Sequence, residues 1–174
     1  NGQQDMHDLL EKISATSNEM VTEMNDIVWA INPRNDSMEK IIQRMESFAK
    51  PLAAARNMQF DLHYDDAVLL LHLPMDKRKN FYLVFKEAVN NAIKYSGAKQ
   101  IVSTIAVKDN TFILQVTDDG VGFNIETEMN ADKSSLSGNG LHSMYKRSQE
   151  LNGKLDILSK ANAGTNIGLM FPLS

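Results

Sequence analysis

The chain has no cysteine in its 174 residues. Disulfide scaffolds, thiolate zinc sites and cysteine nucleophiles are therefore excluded, and the composition fits a reducing compartment. Basic runs are missing as well, and the formal net charge is -4, so the positive face needed to hold a phosphate backbone is absent. Nucleic acid is not expected as a partner. The longest apolar run, 67–73, is interrupted by His72 and too short to span a bilayer, and no signal-peptide pattern opens the chain. Membrane attachment would have to come from segments beyond this sequence. The opening Asn-Gly-Gln-Gln resembles neither a natural initiator nor a folded start, so a fragment of a longer protein is expected.

What is present suffices for one domain plus an appendage, with 43% of residues apolar. Over 6–31, Met6, Leu10, Ile13, Met20, Met24, Ile27 and Ile31 follow alternating steps of three and four, with Ser17 the one polar interruption. This is a heptad seam, which packs on a second helix, on a dimer partner or on its own domain. Asn32-Pro33-Arg34-Asn35 ends it, because proline disfavours helical geometry in the residue before it. Asp36 with Glu39 reads as a capping box opening a second amphipathic helix over 36–56, with a kink or early end at Pro51. Residues 58–64 alternate as a half-buried strand, and 69–73 reads as a short extended stretch closed by Pro74.

A helix over 76–95 gathers Phe81, Phe85, Ala88, Val89 and Ala92 on one face and leaves Lys79, Lys86 and Asn90 opposite. Two β-branched runs, 100–107 and 111–117, form a hairpin about Lys108-Asp109-Asn110. Residues 124–138 are polar and read as a long functional loop. A helix over 141–151 and strands over 154–159 and 165–171 complete the chain. The order implies an α+β fold: a helical appendage, then helices covering one face of a mixed, mostly antiparallel sheet.

Three blocks carry chemistry. Glu87 and Asn91 lie four apart on the helix and so share a stripe, with Lys94 and Tyr95 extending it at the border between buried and wet faces. Asn91 can offer a hard metal a neutral carbonyl oxygen, Glu87 can polarise a nucleophile, Lys94 can pair with phosphate and Tyr95 can edge a pocket. Asp118, at a strand end, can accept a hydrogen bond from an adenine amino group. Gly120 and Gly122 allow close backbone approach and positive φ. Gly138 and Gly140 precede a helix whose free N-terminal amides suit phosphate. Each block alone is an ordinary helix face, turn or loop joint; the order of the three points to an ATP site with magnesium.

The stretches Phe85-Lys-Glu-Ala-Val-Asn-Asn-Ala-Ile-Lys-Tyr95, Asp118-Asp-Gly-Val-Gly-Phe123 and Gly138-Asn-Gly-Leu141 resemble the N, G1 and G2 boxes of GHKL ATPases, in particular the catalytic domain of sensor histidine kinases. Gly164-Thr165 followed by Phe171-Pro172 is similar to that family's closing strands. The resemblance covers 36–174 and implies a two-layer α/β sandwich, ATP and Mg2+ as ligands, Leu141 and Thr165 as further nucleotide contacts, and a lid at 124–137. Glutamate at position 87 places the likeness with the nitrate-sensor and desaturase-sensor kinases. Asp26-Ile-Val-Trp29-Ala-Ile-Asn32-Pro33 resembles their linker, so 1–35 would be a partial dimerisation helix and linker.

By the same resemblance, the γ-phosphoryl would pass to a histidine on the dimerisation helix of a homodimer and then to a response regulator receiver domain. Such a domain lies in the cytoplasm, attached to a membrane-anchored sensor. His7-Asp8 imitates the phosphoacceptor pair, but it lacks the arginine-rich context and stands too close to Trp29 for two antiparallel helices, so the acceptor is expected upstream. His63, His72 and His142 have neither metal-ligand spacing nor a partnered nucleophile. A serine kinase that sequesters a sigma factor shares the fold; the heptad appendage and linker weigh against it.

Overall fold

The computed structural model describes residues 2–125 and 139–174, with a subset of the side chains in 2–30. Helix α1 (Gly2–Ile31) is 30 residues long, about 45 Å at 1.5 Å per residue. Its seam residues Met6, Leu10, Ile13, Met20 and Met24 are all more than half exposed. Ile27 packs partly against the core near the helix's far end. A 3-10 turn (Pro33–Asn35) follows, with the Asn32 side chain accepting from the Arg34 amide at 3.0 Å.

Helix α2 (Met38–Ala54) begins one residue later than the capping box requires. Asp36 closes the 3-10 turn, Ser37 takes the cap position, and no side-chain cap bond forms. Pro51 falls in the last turn of the helix, which ends three residues on; the Ala55 amide still reaches the Pro51 carbonyl at 3.0 Å. Strand β1 (Gln59–Tyr64) is followed by a single helical turn, α3 (Asp66–Leu69). The extended stretch expected over 69–73 reduces to one antiparallel bridge, Ser37 to His72. Val68, just ahead of that stretch, fills the core from α3.

Helix α4 (Met75–Asn91) is the central helix, and its last turn widens into a π turn (Ala92–Ser96) closed by Gly97 at φ +59°. Strands β2 (Gln100–Lys108) and β3 (Thr111–Asp118) form the expected hairpin, turned by Asp109 and Asn110 at positive φ. Helix α5 (Asn139–Glu150) precedes β4 (Lys154–Ser159) and β5 (Thr165–Pro172). The sheet order is β1-β2-β3-β5-β4, with β1 parallel to β2 and all other pairs antiparallel. The α+β sandwich read from the sequence is therefore the observed architecture.

Helices α2, α4 and α5 cover one face of this sheet. Phe81 of α4 meets Phe112 of β3 at 5.0 Å between ring centres, and Phe112 stacks on Phe171 of β5 at 4.7 Å. Aromatic contacts of this kind add to the area they bury. Lys86 departs from the expected wet face of α4. It is 12% exposed and ion-paired with Asp26 of α1. Among the described residues no helix is long and apolar enough to cross a membrane.

Candidate functional site

The period-two alternation of strands builds the site's floor. In β3 the residues facing the helices are Phe112, Leu114, Val116 and Asp118; in β5 they are Thr165, Ile167, Leu169 and Phe171. Register pairs Phe112 with Phe171, Leu114 with Leu169, Val116 with Ile167, and Asp118 with Thr165. Two apolar rows thus end together in one carboxylate and one hydroxyl. Above that polar end the roof, formed by α4 and the π turn that follows it, is made of small residues, Ala88 and Ala92, and a cavity of about 350 Å³ opens between the layers. Asn91, Tyr95, Phe123 and Leu141 are among its walls.

Asp118 is 7% exposed. Its Oδ1 accepts the Gly120 amide at 2.9 Å, and Thr165 donates to it as well. Burial dominates these bonds and raises the Asp118 pKa above the usual carboxylate value. Its neighbour has the opposite character. Asp119 is exposed and accepts the amides of Lys99 and Gln100 at 2.8 and 2.9 Å, bonds that lower its pKa. Asp119 ties the end of β3 to the start of β2, while Asp118 looks into the cavity.

The glycines that follow them, Gly120 and Gly122, serve packing more directly than ligand approach. Only Gly122 of the pair has positive φ, +61°. A Cβ there would lie 2.1 Å from the Lys160 carbonyl oxygen, and one on Gly120 would lie 2.3 Å from that of Ser96. Backbone bonds lace the segment into its surroundings: Val121 donates to Ser96, Gly164 donates to Gly120, and Asn162 donates to Val121. Ser159 completes the frame by accepting the Phe123 amide at 2.8 Å and meeting the Thr165 hydroxyl at 3.0 Å.

At the other end, Glu87 and Asn91 share the stripe expected of them. Gly140 lies inside the first turn of α5 rather than ahead of it, and both side chains converge on it. A Cβ at Gly140 would lie 2.0 Å from Glu87 Oε1 and 3.5 Å from Asn91 Nδ2. The π turn carries Tyr95 to the cavity wall and leaves Lys94 exposed outside the lining. A wider turn rotates residues less than 100° each, so the stripe arithmetic stops at Asn91. Gly138 and the lid positions 126–137 lie outside the described residues.

Of the residues singled out from sequence, Asn91, Tyr95, Asp118, Gly122, Leu141 and Thr165 line the cavity. Glu87, Gly120 and Gly140 are not among its lining residues; each adjoins one that is, since Glu87 and Gly140 meet at Asn91 and Gly120 donates to Asp118. Ser96, Phe123 and Ile167 also line it. Ile167 was findable by counting two residues along β5 from Thr165, and Ala88 by counting one turn back from Asn91. His63, His72 and His142 are exposed, and no group of three or more metal-binding side chains occurs among the described residues.

A helix layer over a mixed sheet, open at the polar end of its two central rows, defines a nucleotide-binding domain of the ATPase type. Residues 76–174, more than half of the chain, match the histidine kinase-, DNA gyrase B- and HSP90-like ATPase family, and the chain belongs to that family. Among similar proteins, the oxygen sensor histidine kinase NreB of Staphylococcus carnosus is 33% identical over 93 residues, 53% of this chain and 25% of that protein. The sensor histidine kinase LiaS of Bacillus subtilis is 28% identical over 94 residues, 54% of this chain and 24% of that protein. The matched stretch is thus about a quarter of the length of these relatives.

Among solved structures, the Acinetobacter baumannii histidine kinase AdeS superposes with a TM-score of 0.69 at 15% identity, covering 97% of this chain and 84% of that one. The catalytic domain of histidine kinase ThkA gives 0.64 at 19% identity, covering 79% and 92%. The chain is an ATP-binding catalytic domain of the histidine-kinase type.

Proposed function

We propose that this domain donates the γ-phosphoryl of ATP to a histidine on a dimerisation helix, for relay to a response regulator, within a membrane-anchored homodimeric sensor. Residues 1–35 would be part of the dimerisation helix and its linker, and 36–174 the catalytic domain. The observation that carries the reading is the pairing of Asp118 with Thr165 at the polar end of the cavity, with Asn91 in its wall and Glu87 one turn earlier on the same helix. Asp118 accepts the adenine amino group while Gly120 and Thr165 hold the carboxylate, and Ile167 and Leu141 supply apolar contact to the base. Tyr95 edges the pocket, Lys94 reaches phosphate from the rim, and the N-terminal turn of α5, at Gly140, binds the phosphates, with Gly138 as a further phosphate contact.

The imidazole attacks γ-phosphorus with its unprotonated ring nitrogen as the bond to the ADP oxygen breaks and ADP leaves, and Glu87 assists removal of the proton on the other ring nitrogen, so that phosphohistidine forms. The side chains fit a magnesium ion that arrives with the nucleotide, because Asn91 offers a hard oxygen and no ready-made protein cage exists among the described residues. Such an ion neutralises phosphate charge when bound.

The test uses the longer protein with labelled ATP and follows acid stability of the product. Label lost in acid and kept in base identifies phosphohistidine; acid-stable label identifies a serine kinase and overturns the proposal. Binding should also depend on pH through Asp118. Its raised pKa means that its contribution to stability is fully present below the ordinary aspartate pKa and is lost as pH rises through the folded-state value. ATP binding runs the other way, since the ionised carboxylate is the better acceptor. Asp118→Asn is expected to weaken ATP about tenfold or more and to flatten this acidic limb. Asp119→Ala, which removes only the β2–β3 tie, is expected to lower thermal stability modestly and leave ATP affinity unchanged; calorimetric titration from pH 4 to 7 checks both.

A further inference from the structure

Asp26 is 2% exposed, the most deeply buried of the described side chains of α1, and the ATP site makes no use of it. Its Oδ1 accepts Arg44 Nη2 of α2 at 2.9 Å and the Tyr82 hydroxyl of α4 at 3.2 Å, and its Oδ2 pairs with Lys86 of α4. Burial, with the Asp26 charge second, raises the Tyr82 pKa, so the phenol stays protonated and donates. Two cations meet one carboxylate here. Their surplus charge lies over aromatic faces: Arg44 sits 5.5 Å from the centre of the Trp29 ring and Lys86 sits 5.3 Å from that of Phe48. Trp29 in turn packs on Tyr82 at 6.0 Å, and its carbonyl accepts Asn35 Nδ2 at 3.0 Å.

This cluster is where α1 grips the domain, since Met6 to Met24 present exposed seam residues and Asp26, Ile27 and Trp29 are the buried or half-buried ones. Tyr82 and Lys86 are one turn apart on α4, as are Glu87 and Asn91, so the grip and the ATP site occupy neighbouring stripes of a single helix. We propose that Asp26 is a positioning residue: it fixes the angle at which α1 leaves α4 and thereby where a group presented by α1 or its bundle partners stands relative to the γ-phosphate. The effect on transfer rests on the proposed kinase function; the effect on geometry does not. Without the carboxylate, the largely buried Lys86 and the partly exposed Arg44 lose the anion that both are paired with, and the helix end loses its tie to α2 and α4.

The absence of cysteine makes the test direct. Met20→Cys on α1 and Leu158→Cys on β4, positions 61% and 69% exposed, take a pair of nitroxide labels, and the distance between them is measured by pulsed electron resonance. The parent is expected to give one narrow distribution, and Asp26→Asn and Lys86→Met each to broaden or displace it. In the longer protein, transfer from ATP is expected to fall about 100-fold in both variants, the penalty of a reacting group misplaced by about 1 Å, with ATP affinity kept. An unchanged distribution in both variants overturns the proposal, as does a loss of ATP affinity parallel to the loss of transfer, which marks a merely structural role. If the unsubstituted longer protein transfers nothing to histidine, the kinase reading fails while the distances still decide the role of Asp26.

Discussion

Asn91→Ala is expected to abolish magnesium-dependent ATP binding while leaving a weak, magnesium-independent affinity for ADP. The side chain is half-buried on the last turn of α4, in the cavity wall, and shares its stripe with Glu87. A carboxamide oxygen gives magnesium a neutral ligand, so the ion keeps the charge with which it holds the phosphates. Removing even an outer partner of a metal site costs about 10–100-fold, so loss of a direct ligand is expected to exceed about 100-fold. The polar end of the cavity, at Asp118 and Thr165, proposed above to take adenine, lies on the sheet and does not depend on Asn91 for its shape. Titration of ATP with magnesium and of ADP with chelator separates the two ends. Parent-like affinity for magnesium ATP in the variant would remove Asn91 from the metal site, whereas loss of ADP binding as well would mean a damaged pocket.

The parts of this molecule that follow local periodicity were legible in the sequence. The rows of β3 and β5 alternate, α4 repeats every turn, and the heptad seam of α1 remains exposed at every described position through Met24. What stayed hidden depends on residues far apart in the chain. Lys86 reads as a solvent-facing lysine until α1 brings Asp26 against it. Asp36 reads as a helix cap until the 3-10 turn at Pro33–Asn35 takes it as its own terminus. Tyr95 reads as the continuation of a stripe until the π turn moves it. The glycine block shows the same limit more subtly. Its residues were identified as site residues through an expected close approach of nucleotide, whereas the spaces a Cβ would fill at Gly120 and Gly122 are occupied by carbonyls of Ser96 and Lys160.

Gly164→Ala is expected to dismantle that frame. At φ +71° an L-residue is strained, and a Cβ would lie 2.0 Å from the Asp118 carbonyl oxygen, well inside contact distance. The obstructing atom is backbone in the sheet, so no side chain can swing aside. Moving Gly164 instead breaks the hydrogen bond that its N–H donates to the Gly120 carbonyl and loosens the neighbouring Thr165, which pairs with Asp118. Gly97 supplies the control. It too is left-handed, at φ +59°, but a Cβ there meets nothing within 4 Å. Gly97→Ala therefore isolates the conformational cost, about 1–2 kcal/mol, and ATP binding should persist. Gly164→Ala adds steric displacement to the same term, so its loss of stability in urea unfolding should exceed that of Gly97→Ala by about 1–3 kcal/mol, the usual cost of overpacking, with ATP binding lost in whatever folds. Equal losses for the two variants would show that the β4–β5 turn yields freely, and that the Asp118 carboxylate is held by its own hydrogen bonds rather than by the glycine frame around it.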